Sequence, residues 1–220
     1  MSALRLHSYW RSSAAFRVRI ALQLKGVHYE YLPVHLVQGG GEQFTPAYRA
    51  LNPQSRVPTL ETPDGVLTQS MAIMEWLEES YPEPALLPRN PGARAQVRAM
   101  AQLLVSDIQP LQNVAVTRYL QAELHVDDAA LKSWLREWIG RGLSALEQLL
   151  ARTPTSGDFC LGAAPTLADV CLVPQCASSR RFGVDPAAFP RIARIEKACN
   201  AIPAFQRAAP DEQPDAVRTS

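Results

Sequence analysis

Hydrophobic positions along the first third of the chain change period twice. Leu4 and Leu6 alternate with polar neighbours, as in a half-buried strand, and from Ala14 to Lys25 the spacing lengthens to that of a helix, with Val18, Ala21 and Leu22 on one side. Gly26 follows at the C′ position, where a left-handed residue closes a helix. Tyr29 and Tyr31 resume the two-residue period and, with Val34, predict a second strand. Arg56 to Glu61 and Val66 to Gln69 predict two further strands on either side of the Pro63-Asp64-Gly65 turn, and Ser70 is placed to cap a helix through Leu77 and Glu78. Strand, helix, strand, loop, strand, strand, helix is the order of an α/β unit, not of a helical bundle.

Pro82, Pro84 and Pro88 then punctuate the pattern, and beyond them only helical spacing recurs. Leu103, Leu104, Ile108 and Leu111 form one stripe, interrupted at Pro110. Leu131, Trp134, Leu135, Trp138, Ile139 and Leu143 form another. The expected organisation is an α/β domain over residues 1–84, an all-α domain over 89–212, and a polar tail at 213–220 expected to be poorly ordered.

Composition narrows the function classes. At 47% hydrophobic and 20% charged, 220 residues can bury a sizeable core, and 22 Lys and Arg against 21 Asp and Glu leave no field that would recruit nucleic acid or a membrane surface. No segment approaches the roughly 20 apolar residues of a membrane span, and the first residues lack the apolar run of an export signal, so a cytoplasmic protein is expected. Cys160, Cys171, Cys176 and Cys199 form no C-x-x-C pair, and His7, His28, His35 and His125 are scattered, so no metal or dithiol site is expected.

Three short stretches can carry chemistry. Trp10-Arg11-Ser12-Ser13 joins the first strand to the first helix, placing two hydroxyls at a helix N-terminus; Ser12 there is either an N-cap or a donor to a bound thiolate. Val57-Pro58 enters the third strand, where proline predicts an edge or a special turn; a cis bond there would let the Val57 backbone pair with an extended peptide. Gln69-Ser70 opens the next helix, where the Ser70 hydroxyl and amide suit a carboxylate or simply cap the helix.

Together, these stretches resemble the glutathione site of the cytosolic glutathione transferases, and the resemblance covers nearly the whole chain. Arg11-Ser12-Ser13-x-x-x-Arg17-Val18-Arg19-Ile20-Ala21-Leu22, Asp107-Ile108-Gln109-Pro110-Leu111-Gln112-Asn113 and Arg180-Arg181-Phe182-x-Val184-Asp185 are similar to the zeta class, as in maleylacetoacetate and maleylpyruvate isomerases. That class often carries cysteine where this chain has Ala14. The resemblance implies a thioredoxin-like N-terminal domain, an all-helical C-terminal domain and a homodimer. It also implies glutathione as cofactor and a small dicarboxylate as substrate, with no nucleic acid or membrane partner.

The implied chemistry is cis–trans isomerisation by a borrowed thiolate, which adds to the alkene, allows rotation and leaves again. On this basis Ser12, helped by Ser13, holds the thiolate, and Gln43, Val57, Gln69 and Ser70 hold the peptide part of glutathione. Gln109 and Asn113, expected on one helix face, position glutathione or polarise a substrate oxygen. Arg11 and Arg181 bind carboxylates, with Arg180 in reserve. Thr166-x-x-Asp169 resembles a buried structural capping box. The alternatives are a general transferase conjugating electrophilic xenobiotics and an interaction module without turnover.

Overall fold

A computed structural model describes residues 4–217. They divide into two compact units, one made of residues up to Ala85 together with those from Ala201 onward, the other of Leu86–Asn200.

The first unit is a four-stranded sheet with helices. β1 (Leu4–Ser8), α1 (Ser13–Leu24), β2 (Tyr29–Pro33), α2 (Pro46–Leu51), β3 (Thr59–Thr62), β4 (Gly65–Thr68) and α3 (Ser70–Ser80) follow in that order. The strand order is β2-β1-β3-β4, with β1 parallel to β2 and antiparallel to β3, and β3 antiparallel to β4. Leu6, Val18, Ile20, Leu22, Leu60, Ile73 and Leu77 are fully buried, so the stripes of α1 and α3 are covered as their spacing predicts. Gly26 has φ +63° immediately after the last residue capping α1.

Several sequence expectations shift locally. Pro58 does not mark an edge: β3 is an interior strand that starts at Thr59, so the missing proline N–H falls outside the ladder, and the Val57–Pro58 bond is cis. Gln69, not Ser70, occupies the cap position of α3, with Ser70 as its first residue. The expected loop before β3 contains the short helix α2, capped by the Thr45 side chain.

The second unit is helical, with no strand among its described residues. α4 (Pro91–Gln102) runs into a π-helical turn at Leu103–Ile108 and a 3-10 turn at Gln109–Gln112, followed by α5 (Val114–Ala122), α6 (Asp128–Ala151), α7 (Leu167–Arg181) and α8 (Pro190–Asn200). α7 is buried along nearly its whole length, which suits a central helix. Its start is the expected capping box: Asp169 accepts from the Thr166 amide at 2.8 Å and its hydroxyl at 2.7 Å, and also from the Cys160 amide at 2.8 Å. All four cysteines are buried and unbonded to one another.

The chain then returns to the first unit. α9 (Pro203–Ala208) packs on α1, so the helical unit ends at Asn200 and not at the expected residue 212. Within 213–217, expected to lack order, Gln213 is buried and Asp215 accepts two hydrogen bonds. Residues 218–220 of the expected tail lie outside the described residues.

Candidate functional site

Strand register brings three of the candidate stretches to one end of the sheet. His7 near the end of β1 pairs with Thr59 at the start of β3, and Thr59 pairs with Thr68 at the end of β4. Ser12 therefore follows the same sheet end that Val57 precedes and that Gln69 and Ser70 follow.

Ser12 closes a tight turn, its amide donating to the Tyr9 carbonyl at 3.0 Å, and caps α1, its Oγ accepting from the Ala15 amide at 3.2 Å. The hydroxyl proton has no acceptor among the described residues, so half-buried Ser12 can cap the helix and donate to a ligand at once. Ser13 is the first helical residue, and no acidic side chain lies in that first turn to oppose an anion. Arg11 is exposed and its guanidinium lies 5.3 Å from the Trp10 ring centroid.

Arg19 holds this turn from beneath. Fully buried, it donates to the Ser8 hydroxyl and to the carbonyls of Tyr9, Trp10 and Ala208, at 3.0–3.3 Å. Its burial pushes the guanidinium pKa down to about 10, partly offset by Tyr31, Tyr29 and Asp215.

Before β3, the Tyr48 hydroxyl donates to the Arg56 carbonyl at 2.7 Å, and the Asn52 amide donates to the same carbonyl at 2.8 Å and to Thr59 Oγ1 at 3.2 Å. Beside this braced carbonyl, the Val57 amide and carbonyl have no partner among the described residues. An amide and a carbonyl left open on one residue suit an extended peptide.

Gln69 has φ +66°, uncommon for a residue other than glycine, and its side-chain amide donates to Gln54 Oε1 at 2.6 Å. No side chain caps α3, and buried Ser70 stands at its first position. An uncapped N-terminus with a hydroxyl is suited to a carboxylate. Gln43 is buried too; its Nε2 donates to the Leu36 carbonyl at 3.2 Å, while Oε1 has no partner and can accept from a ligand amine or amide.

In the helical unit, Gln109 and Asn113 do not share a helix face. Pro110 tightens the chain into a 3-10 turn, and Asn113 is the extended cap of α5, its side chain accepting from the Ala115 amide at 2.9 Å. Arg180 leaves the set of carboxylate binders, because both its terminal nitrogens bond Glu196, at 2.6 and 2.5 Å. Arg181, at the end of α7, is exposed, lies 5.0 Å from the Phe182 ring centroid and donates weakly to Ser178 Oγ at 3.4 Å.

No motif marks Gln54, Tyr48, Asn52 or Asp215: Tyr48 and Asn52 bond partners 4 to 11 positions away, Gln54 one 15 away and Asp215 one 205 away. Arg19, inside the fingerprint, serves the fold: three carbonyls and a hydroxyl, not an acidic side chain, receive it.

A sheet of this order with a cis proline before β3, joined to an all-helical unit, defines a thioredoxin-like protein of the transferase kind. Residues 6–85 match the glutathione S-transferase N-terminal domain family, and residues 128–195 the glutathione S-transferase C-terminal domain family. Maleylpyruvate isomerase from Ralstonia is 49% identical over 214 residues, 97% of this chain and 100% of the relative. Maleylacetoacetate isomerase from Pseudomonas aeruginosa is 48% identical, over 96% of this chain and 98% of the relative. The holo structure of a zeta-class maleylpyruvate isomerase superposes with a TM-score of 0.93 at 48% identity, covering 97% of this chain and 100% of that one. Maleylacetoacetate isomerase from Anaeromyxobacter dehalogenans, solved with glutathione in its active site, gives 0.87 at 50% identity, covering 98% of each chain. The chain belongs to the zeta class of the glutathione S-transferases.

Proposed function

We propose that this protein is a glutathione-dependent cis–trans isomerase acting on maleylacetoacetate or maleylpyruvate. The observation that carries the reading is Ser12, which caps α1 through its oxygen while its proton stays available. The relatives, near half identity over almost the whole chain and named as isomerases of these two acids, supply the substrate class.

Bound glutathione supplies a thiolate that adds reversibly to the double bond. The Ser12 hydroxyl, with the Ser13 amide and the N-terminus of α1, stabilises the ionised sulfur. Val57 pairs with the peptide backbone, Ser70 and the α3 N-terminus hold a carboxylate, Gln69 is kept in place by Gln54, and Gln43 Oε1 accepts an N–H. These groups suit a short acidic thiol peptide in kind, offering donors for a sulfur and a carboxylate and acceptors for its N–H groups. From the helical unit, Arg181 is the candidate for a substrate carboxylate, and Gln109 and Asn113 are weaker candidates whose separate placements favour separate roles. Arg11 serves the second carboxylate, and Ala14 leaves the mechanism intact because the nucleophile comes from glutathione.

The homodimer and cytoplasmic location follow from family resemblance, and no described helix is long and apolar enough to cross a membrane. Turnover of maleylacetoacetate would place the protein in tyrosine and phenylalanine breakdown, and of maleylpyruvate in a gentisate-type route. The two substrates differ in chain length, which a pocket discriminates by only about 1–3 kcal/mol per methylene, so both are expected to react. The test is the ultraviolet absorbance change of each acid with and without glutathione, alongside a chlorinated aromatic. Isomerisation that needs glutathione supports the proposal; conjugation of the aromatic with neither acid reacting replaces it with a general transferase.

A further inference from the structure

We propose that Asp215, near the chain's C-terminus, is a positioning residue for the thiolate site, holding the turn that carries Ser12. The inference rests on the role given to Ser12 above.

The turn from Tyr9 to Ser12 has few ways to be fixed. Its carbonyls at Tyr9 and Trp10 accept from Arg19, at 3.3 and 3.1 Å. The Trp10 amide donates to Asp215 Oδ2 at 3.1 Å, 205 positions along the chain. The other carboxylate oxygen, Oδ1, accepts from the Tyr31 hydroxyl at 2.6 Å, so one side chain ties the turn to β2. Arg19 and Asp215 thus secure the turn from two sides, one through its carbonyls and the other through an amide.

The segment delivering Asp215 is itself anchored. Arg207 Nε donates to Gln23 Oε1 of α1 at 2.9 Å, and the Ala208 carbonyl accepts from Arg19 at 3.0 Å. Buried Gln213 donates to the carbonyls of Arg207 and Ala209, at 3.0 and 2.7 Å, and the Ala216 amide returns to the Gln213 carbonyl at 3.0 Å. Two bonds to α1 and three within the segment set the place of the carboxylate. Asp215 acts through these two hydrogen bonds, to the Trp10 amide and the Tyr31 hydroxyl, so its influence on Ser12 is one of position.

Without the carboxylate, the Trp10 amide and the Tyr31 hydroxyl lose their acceptor and the turn can relax. A displacement of about 1 Å at a catalytic group lowers a rate by roughly 10²-fold.

The experiment compares wild type, Asp215→Ala, Asp215→Asn and Ser12→Ala by kcat, by KM for glutathione, by the pH midpoint of the bound thiolate absorbance, and by thermal melting. Asp215→Ala is expected to lose roughly 10- to 100-fold in kcat, with the thiolate midpoint moved upward. Asp215→Asn keeps one oxygen to accept from the Trp10 amide and can donate its Nδ2–H to the Tyr31 oxygen, so it should stay near wild type. Should Asp215→Ala fail to fold, ending the chain after Pro214 removes the same carboxylate and keeps the two Gln213 side-chain bonds. A variant lacking the carboxylate that melts lower yet keeps wild-type kcat and midpoint overturns the proposal. An Asp215→Asn as impaired as the alanine also overturns it, since charge would then be the cause. If Ser12→Ala is itself unaffected, the thiolate assignment has failed first, and this inference falls with it.

Discussion

Ser12 uses one oxygen for two purposes, and they can be separated by substitution. Its lone pair caps α1 and its proton serves the ligand. Ser12→Ala should lower melting by the loss of a cap, about 1 kcal/mol, while kcat falls by about 10²–10³-fold, the usual effect of removing a donor aimed at developing charge. Steady-state kinetics and thermal melting on the same preparation check both. The two neighbouring arginines should separate as cleanly. Arg181→Ala is expected to raise KM for the dicarboxylate by about 10- to 100-fold, the value of a hydrogen bond to a charged group. Arg180→Ala should leave KM unchanged and lower melting, because Glu196, only 6% exposed, would lose its partner.

Among elements, α7 depends on the carboxylate at its start. Asp169 satisfies three buried donors, at Cys160 and Thr166. Removing it as Asp169→Ala should cost about 3 kcal/mol or more, since each orphaned buried donor costs about 1–3 kcal/mol, read as a lower denaturation midpoint. On the sheet, Glu61 of β3 receives His7 of β1 at 2.6 Å and Arg5 at 3.1 Å. The His7 hydrogen bond first, and then the Arg5 charge, hold its carboxyl below the usual range against a desolvation penalty. A folded-state pKa below the unfolded one gives stability that is present above the unfolded value, about 4.3, and lost as pH falls through the lower folded value. Melting of wild type should therefore fall more steeply than that of Glu61→Gln as pH drops through that window.

For the whole molecule, the sequence shows what is local and hides what is not. The period change from Leu4–Leu6 to Val18–Ala21–Leu22, the left-handed Gly26 and the capping box at Thr166 each depend on neighbours a few positions away, and each is present in the structure. Gln109 and Asn113 misled because four-residue spacing implies a shared face only inside an unbroken helix, and Pro110 breaks it. Pro58 marks no edge because the strand begins at Thr59, three residues later than the expected Arg56, which leaves the proline outside the ladder. The return of α9 to α1, Gln54 beneath Gln69, and Asp215 on the Trp10 amide join residues 15 to 205 positions apart and leave no periodic trace. Ser12, Val57, Gln69 and Ser70 could be nominated from motif resemblance, but only the register of β1, β3 and β4 puts their backbones at one sheet end.

The central claim is that glutathione is returned at the end of every cycle. The direct measurement is free thiol counted alongside product while wild-type protein acts on maleylacetoacetate with glutathione far below the substrate concentration. Fumaryl product is expected to exceed the glutathione supplied many times over, with the thiol concentration unchanged at the end. Thiol lost in step with substrate, one for one, would show a conjugating transferase and contradict it.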